Sequence, residues 1–161
     1  FNVMHPCVHN SDTILFVSSD KPGGIGQYDI YYATKRNGEW TGLTNLGDQI
    51  NTPGDELFPT LDGDTLYFSS DYISGMGGLD IFSSYFDQRL QKWTPVQNAK
   101  HPINSGADDF SMLVAEHFED GGKRGYFSSN RKHQQGDDIF SFEYHPIVEE
   151  QEKFMEVQKA N

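Results

Sequence analysis

Short apolar runs separated by polar turns dominate the chain, and one such run occurs three times. Each copy starts with apolar β-formers, passes through Ser-Ser and an Asp or Asn, crosses a loop, and returns with Asp-Ile-aromatic. The copies lie at residues 15–32, 66–83 and 125–142. Aromatic and β-branched runs on both sides of a polar, glycine-containing loop predict a β-hairpin in each copy.

The spacing of the copies predicts an internal repeat. Ser18, Ser69 and Ser128 lie 51 and 59 residues apart, and the Asp of Asp-Ile follows these serines after 11, 11 and 10 residues. Periods of this length are typical of architectures whose repeating unit is one small sheet. The repeated polar residues are therefore predicted to have structural roles: Asp29, Ser69, Asp71, Asp80 and Asp138.

Tryptophan predicts a fourth strand in the first two units. Trp40 and Trp93 lie 53 residues apart, and each follows a polar turn and precedes a threonine. The same offset relates a further block of residues, which is Asn45, Ile50, Asn51 and Asp55 in one unit and Asn98, Ile103, Asn104 and Asp108 in the next. Trp40 and Trp93 are therefore also predicted to be structural positions of the repeat.

These elements predict an all-β fold, a β-propeller of four-stranded antiparallel blades, with blades at about 1–46, 47–99 and 100–144. The innermost strands are predicted at residues 1–9 and 57–61. A β-sandwich is the main alternative, since it would also give alternating strands. It would not explain the fixed serine-to-aspartate spacing.

The third unit differs from the others because no tryptophan strand follows it. Residues 145–161 are rich in Glu, Gln, Lys and Met, which favour a short C-terminal helix, either a tail or a linker. Propellers typically have about four to eight blades, so about three blades predict a partial ring. We therefore expect the chain to be a fragment of a longer polypeptide.

Composition and charge narrow the range of partners. The chain has 24 acidic and 12 basic residues, a net charge of −12, and no cluster of Lys and Arg. Nucleic acid and anionic membrane surfaces are therefore disfavoured as partners.

No apolar run reaches the roughly 20 residues that cross a bilayer, so no transmembrane segment is expected. Cys7 is the single cysteine, which excludes an internal disulfide, and it is expected to be a small buried side chain.

The candidate chemical groups are mostly explained by structure. Paired carboxylates recur at 55–56, 108–109 and 137–138, and because a catalytic pair is needed only once, their repetition favours a structural role over catalysis. No catalytic residue and no cofactor is predicted. Calcium is a less favoured alternative to simple Asp turns, with these candidate ligands: Asp20, Asp29, Asp71 and Asp80.

A metal site at the first strand is also weighed and disfavoured. His5, Cys7 and His9 alternate along the sequence, so they would project to one side of a strand. Strand packing beside Pro6 is the favoured interpretation. The glycine-rich loops lie between two predicted strands rather than before a helix, which argues against a nucleotide site.

The motifs resemble a known group of propellers. The stretch 60–69, TLDGDTLYFS, resembles the blade signature of TolB-like, WD-repeat-related propellers. A closer similarity, over residues 4–144, is to the propeller of periplasmic OmpA-family, PorE-like proteins of the type IX secretion system. The phrases that carry it are FSSD…GMGGLDIF, NLGDQINTPGDE and GYFSSN…GDDIFSF. The tail after Tyr144 departs from this group, which usually continues there into a small β-domain.

The resemblance implies a non-enzymatic interaction scaffold of the bacterial cell envelope, linked to type IX secretion or gliding. It further implies a periplasmic, outer-membrane-associated location, other proteins of an envelope complex as partners, and peptidoglycan contact through a domain outside this chain. The alternative hypothesis is a glycan-binding or glycan-hydrolysing propeller. In that case aromatic side chains such as Tyr28, Tyr72 and Trp93 would stack on sugars.

Overall fold

The computed structural model describes residues 1–9, 13–131 and 136–146, which form strands and turns without a helix. The first sheet contains β1 (Val3–His9), β2 (Ile14–Ser19), β3 (Asp29–Arg36), β4 (Glu39–Trp40) and β5 (Thr44–Asn45). The second contains β6 (Glu56–Asp62), β7 (Thr65–Ser70), β8 (Asp80–Asp87), β9 (Lys92–Trp93) and β10 (Gln97–Asn98). The third contains β11 (Asp109–His117), β12 (Lys123–Ser129) and β13 (Asp138–Tyr144). The all-β, antiparallel prediction is confirmed.

Consecutive hairpins build each sheet outwards from its first strand, because β1, β2 and β3 pair in chain order, as do their counterparts. Aromatic residues face each other across the central strands. Phe68 lies opposite Phe82 in the second sheet, and Phe127 lies opposite Phe140 in the third. Their ring centroids are 6.2 and 5.6 Å apart, respectively. Such cross-strand pairs stabilise the register of a sheet.

The fourth strand of the first two sheets is divided into two short pieces, so the prediction of one continuous strand was wrong in this detail. Between β4 and β5, the Thr41 N–H donates to the Thr34 carbonyl at 2.8 Å, and the Thr34 N–H donates to the Thr41 hydroxyl at 3.0 Å. The Thr41 hydroxyl thus accepts the hydrogen bond that a backbone carbonyl would accept in a continuous strand pair. Thr94 contacts Tyr85 in the same way, and Pro95, which has no N–H, follows it.

The first strand of every sheet carries a bulge at the same repeat position. The residues of the three bulges with positive φ are His5, Phe58 and Ser111, at 52°, 54° and 57°. A bulge bends its strand and changes the direction of the side chains that follow. His5 consequently stacks on Phe58 of the next sheet at a centroid distance of 3.8 Å, and Phe58 stacks on Phe110 at 5.1 Å. The three first strands therefore lie side by side.

The sheets pack face to face in chain order. One core cluster joins the first and second sheets, and it contains Phe16, Ile30, Ile50, Leu66, Phe68 and Phe82. A second cluster joins the second and third sheets, and it contains Tyr67, Ile81, Met112 and Phe127. Tyr67 and Phe68 are neighbours on one strand and therefore point to opposite faces. The second sheet thus lies between the other two, as a middle blade does, and the arrangement is not a two-layer sandwich.

The sheets do not close into a ring within the described residues. The third sheet has only three strands there, in agreement with the absence of a tryptophan strand in the sequence. The predicted helix at 145–161 falls almost entirely on residues 147–161, which lie outside the described ranges, and His145 and Pro146 are not helical.

The described part of the chain has no helix that is long and apolar enough to span a membrane.

Candidate ligand cleft between the first two sheets

The repeated Asp at the start of the third strand holds the glycine-rich loop that precedes it. Asp29 is buried, and its carboxylate accepts hydrogen bonds from the N–H groups of Ile25 at 2.6 Å and Gly26 at 3.0 Å. Asp80 is also buried and accepts from the equivalent pair of loop amides at 2.8 and 2.9 Å. A carboxylate that accepts several backbone amides fixes the shape of a turn. Both carboxylates thus hold their own loops, although in Asp80 both amides donate to Oδ2, and the buried Oδ1 has no hydrogen-bond partner among the described residues.

These loops lie against the connector that leads to the next sheet. A Cβ atom added at Gly26 would strike the Gly54 carbonyl, and one added at Gly77 would strike the Ala107 carbonyl. The Gln27 N–H donates to the same Gly54 carbonyl at 3.1 Å. Only glycine allows so close an approach of two backbones. The glycines thus serve the contact between neighbouring sheets.

A second acidic residue of the repeat latches one sheet to the next. The Asp55 carboxylate accepts from the Tyr28 N–H of the first sheet at 3.0 Å, while its own N–H donates to Asp71 of the second at 2.8 Å. Asp108 and Asn130 repeat this arrangement between the second and third sheets. Burial raises the pKa of Asp55. Asp71 therefore acts at a sheet boundary.

Two asparagines fix each connector to the third strand of its own sheet. The buried Asn51 accepts from the Ile30 N–H at 2.8 Å and donates to the Ile30 carbonyl at 3.0 Å and to the Asn45 side chain at 2.8 Å. Asn104 makes the same three contacts to Ile81 and Asn98. Because buried backbone groups need partners, these amides replace strand pairing where the fourth strand is short.

The carboxylates at the start of β6 and β11 are fully buried, and each accepts hydrogen bonds from the residue four positions before it. Glu56 accepts from the Thr52 N–H at 2.7 Å, the Thr52 hydroxyl at 2.5 Å and the Ser70 hydroxyl at 2.9 Å. Its pKa is raised, mainly because burial removes water from the charged form. Asp109 likewise accepts from the Ser105 N–H at 2.6 Å and the Ser105 hydroxyl at 2.9 Å, and it also forms an ion pair with Arg131 at 2.6 Å. The repetition of these acids therefore has a structural explanation.

The candidate calcium ligands do not converge. Asp20 accepts from the Asn2 backbone N–H at 2.5 Å, which holds the pKa of its carboxyl below the ordinary value, whereas Asp29 binds loop amides and Asp71 binds the connector. The bulge in the first strand places the His5 side chain on a different side of the strand from Cys7. Within the described ranges, no group of three or more His, Cys, Asp or Glu side chains is placed to hold a metal ion.

The remaining repeat positions lie as follows. Ser69 is buried, and its hydroxyl has no hydrogen-bond partner in the described structure, so hydrogen bonding does not explain a serine there. Asp138 begins β13 and pairs with Ser129. Trp40 is 41% exposed and lies near Lys35, whose ammonium group is 5.7 Å from its ring. Trp93, its counterpart, lies between two sheets.

A cleft of about 600 Å³ lies between the first and second sheets. It is bounded by the outer strands of the first sheet, the β6–β7 turn and the β8–β9 hairpin. Its lining is His9, Ile14, Phe16, Tyr32, Thr44, Asn45, Leu46, Gln49, Leu61, Asp64, Phe86, Gln88, Gln91, Lys92 and Trp93. Neither Tyr28 nor Tyr72, the other aromatic residues singled out from the sequence, lines it.

Aromatic and amide groups share this cleft. The Trp93 ring is half-buried, with its centroid 5.1 Å from that of Phe86 and 6.5 Å from that of Phe16. The Gln88 amide donates to Asp64 at 2.8 Å, which orients both side chains at the rim. Gln49 is exposed, and its side chain has no hydrogen bond among the described residues. The cleft thus combines a flat apolar surface with free and oriented polar groups.

Sequence reasoning identified Trp93 but missed the amides around it. Gln49 and Gln88 do not recur in the other units, so a search for repeated residues could not find them. A search for polar residues that occur in one unit only, next to a position shared by the units such as Trp93, would have found them.

Comparison with solved structures supports the architecture. The chain is similar to Bacteroides ovatus Xyloglucan PUL GH43B with a TM-score of 0.51 and 14% sequence identity, over 91% of this chain and 29% of that chain. GH43 is a glycoside hydrolase family of five-bladed β-propellers. The fold is propeller-like. The chain spans only about 29% of the length of that protein, and the likeness concerns the fold alone. No protein-family model matches the chain, and no curated protein matches it.

Proposed function

We propose that the chain is a non-enzymatic binding module of propeller type, in which the cleft beside Trp93 holds a saccharide. The observation that carries the proposal is the position of the half-buried Trp93 ring next to the unpaired Gln49 amide and the oriented Gln88 and Asp64. Sugar rings have apolar faces that pack on aromatic rings, and hydroxyl groups that need both donors and acceptors. The cleft supplies both kinds of contact.

The size and charge of the cleft favour a neutral oligosaccharide. About 600 Å³ lies within the usual range of small-molecule sites, which is about 300–1,000 Å³. The lining residues that can carry a charge near neutral pH are His9, Asp64 and Lys92, so neither sign of charge dominates. The printed name of the propeller-like neighbour refers to xyloglucan, a neutral polysaccharide, which makes xyloglucan fragments a reasonable first probe.

The engagement of the repeated acids supports a binding rather than a hydrolytic role. Asp29 and Asp80 hold loops, Asp55 and Asp108 latch neighbouring sheets, and Glu56 is fully buried away from the cleft lining. Asp64 is the single acid in the lining. Glycoside hydrolysis commonly uses two carboxyl groups that flank the bond.

Calorimetric titration with xyloglucan-type and cell-wall-type oligosaccharides tests the proposal. We expect binding by the wild type, a loss of about tenfold or more in Trp93→Ala, and a smaller loss in Gln49→Ala, whose exposed side chain is not part of the core. Tyr72→Ala is the matched control, because Tyr72 is 60% exposed and lies outside the cleft. Thermal unfolding of each variant verifies that it is folded.

Two results would contradict the proposal. One is that the wild type binds no member of the oligosaccharide panel, or that Trp93→Ala, Gln49→Ala and Tyr72→Ala bind as the wild type does. The other is the appearance of new reducing ends on incubation with these glycans, lost on changing one repeated acid, which would establish an enzyme instead.

The second candidate function is the envelope scaffold that the sequence motifs suggest, periplasmic and outer-membrane-associated. The observation that favours it is an uncovered apolar surface on the third sheet, formed by Leu113, Tyr126 and Ile139. A photo-crosslinking amino acid at position 139 in the native host, compared with one at Leu90, tests this function. A crosslink from position 139 to a defined envelope protein in the outer-membrane fraction supports it. Cytoplasmic fractionation of the chain would contradict it.

A further inference from the structure

A second cavity adjoins the cleft at β9. We call it the side cavity, and it has a volume of about 310 Å³ and lies along the β8–β9 hairpin and the residues that follow β9. Its lining shares Gln49, Lys92 and Trp93 with the cleft. The usual volume of small-molecule sites is about 300–1,000 Å³, and the side cavity lies at the lower end of this range. It is therefore large enough to hold one part of a ligand whose other part occupies the cleft.

The shared residues present polar groups that are free to bind a ligand. Gln49 and Lys92 are both exposed, and neither side chain has a hydrogen bond or an ion pair among the described residues. The Lys92 ammonium group offers hydrogen-bond donors, and the Gln49 amide offers donors and an acceptor. Because both residues line both cavities, a ligand chain that passes from one cavity to the other contacts them on its way.

The remaining lining of the side cavity combines apolar and polar groups, as the cleft does. Leu90 is 53% exposed and Pro95 is also exposed, and together they provide an apolar surface. Asp87 provides an acceptor. Its Oδ1 atom accepts from the N–H groups of Arg89 and Leu90, both at 2.9 Å, whereas its Oδ2 atom has no hydrogen-bond partner among the described residues. A sugar ring needs both an apolar surface and acceptors for its hydroxyl groups.

We propose that the side cavity is a second subsite for the saccharide, so that the preferred ligand is a chain long enough to occupy the cleft and the side cavity together. This inference rests on the proposed function of the cleft. The charged groups of the side cavity are Asp87 and Lys92, one of each sign, so a neutral ligand is favoured there as well. The ligand class is therefore a longer neutral oligosaccharide, or an internal stretch of a neutral polysaccharide.

The two subsites make affinity depend on the length of the sugar chain. A ligand loses its translational and rotational freedom once, however many subsites it fills. Contacts in the side cavity therefore strengthen binding without a second loss of this kind. An oligosaccharide too short to reach Leu90 lacks these contacts.

Calorimetric titration with neutral xyloglucan-type oligosaccharides of increasing length tests the proposal. For the wild type we expect the affinity to rise about tenfold or more from the shortest oligosaccharide that binds to the longer ones, and then to level off. Leu90→Ala should lose most of this rise, because it removes apolar surface from the side cavity alone. Leu113→Ala is the matched control, since Leu113 is 46% exposed and lines neither cavity. Circular dichroism verifies the fold of each variant.

Nuclear magnetic resonance of leucine methyl groups measures the same contact in the unsubstituted chain. The Leu90 methyl resonances should shift when a long oligosaccharide is added and should stay in place with the shortest one. The methyl resonances of Leu61, which lines the cleft, should shift with both.

Three results would overturn the second subsite while leaving saccharide binding in the cleft intact. They are a wild-type affinity that does not depend on length, a rise with length that Leu90→Ala retains in full, and Leu90 methyl resonances that a long oligosaccharide does not shift. The absence of binding at every length is a different outcome, and it would contradict the proposed function of the cleft and this inference together.

Discussion

Trp93 lies edge-on to Phe16 across the boundary between the first and second sheets, with ring centroids 6.5 Å apart and ring planes at 81°. The two residues come from different repeats, and their contact is the most direct link between the repeat pattern and the packing of the sheets. The same tryptophan also forms part of the cleft wall. Packing and candidate binding therefore share one side chain.

Trp93→Ala should destabilise the protein more than Trp40→Ala does. Trp93 contacts the core residue Phe16 and the half-buried Phe86, whereas Trp40 is 41% exposed. Removing a packed aromatic side chain costs about 3 kcal/mol, and removing an exposed one costs under about 1 kcal/mol. Urea unfolding of each variant measures both changes in the free energy of unfolding. Equal losses would contradict the different environments of the two residues.

Gly26→Ala should destabilise the protein by about 2 kcal/mol or more, because the new Cβ would strike the Gly54 carbonyl and force the loop away from the connector. Gly42→Ala is the control, since nothing lies within 4 Å of its Cβ position. We expect it to change the free energy of unfolding by about 1 kcal/mol at most. A tolerated Gly26→Ala would show that the loop does not press on the connector.

Asn51→Ala and Asn104→Ala should each cost about 1–3 kcal/mol, because each leaves a buried strand N–H without a partner and removes one of the two donors to the carbonyl of the same strand residue. The two losses should be similar, since the contacts are the same in both sheets. Asn37→Gly is the control, because Asn37 lies at an exposed hairpin with a φ of 52°, which glycine adopts readily. Amide exchange of Ile30 and Ile81 should rise in the corresponding variant. An unchanged rate of amide exchange at Ile30 and Ile81 would show that the asparagine side chains do not protect these strand N–H groups.

Glu56 should make the stability depend on pH in a defined direction. Its pKa in the folded state is raised by burial, so folding favours the protonated form. The free energy of unfolding of the wild type, relative to Glu56→Gln, should therefore increase as the pH falls from the raised pKa toward the ordinary value near 4.5. Above this window the difference should be constant. A relative loss of stability on acidification would contradict the assignment.

The sequence predicted the all-β, antiparallel character and the equivalence of residues in the first two units, because equivalent residues hold equivalent loops in both. Asn45 and Asn51 were matched to Asn98 and Asn104 by spacing alone, and the two side chains of each pair form the same hydrogen bond. Repeated residues therefore predicted equivalent contacts at the positions where the structure itself repeats.

Two features could not be predicted, for physical reasons. The division of the fourth strand depends on a threonine hydroxyl replacing a backbone acceptor, as at Thr41, and a strand pattern does not show this. The bulge at His5 reverses the alternation of side chains, so the common side predicted for His5, Cys7 and His9 fails. The cleft was missed because its amides are specific to one boundary.

The central claim is that the three sheets pack in chain order, with the second between the other two. Nuclear Overhauser contacts of isoleucine methyl groups in the selectively labelled chain test it most directly. We predict contacts from Ile30 to the Phe68 and Phe82 side chains, and from Ile81 to Met112 and Phe127. Contacts from Ile30 to Phe127, without those to Phe68 and Phe82, would place the first sheet directly on the third and contradict the account.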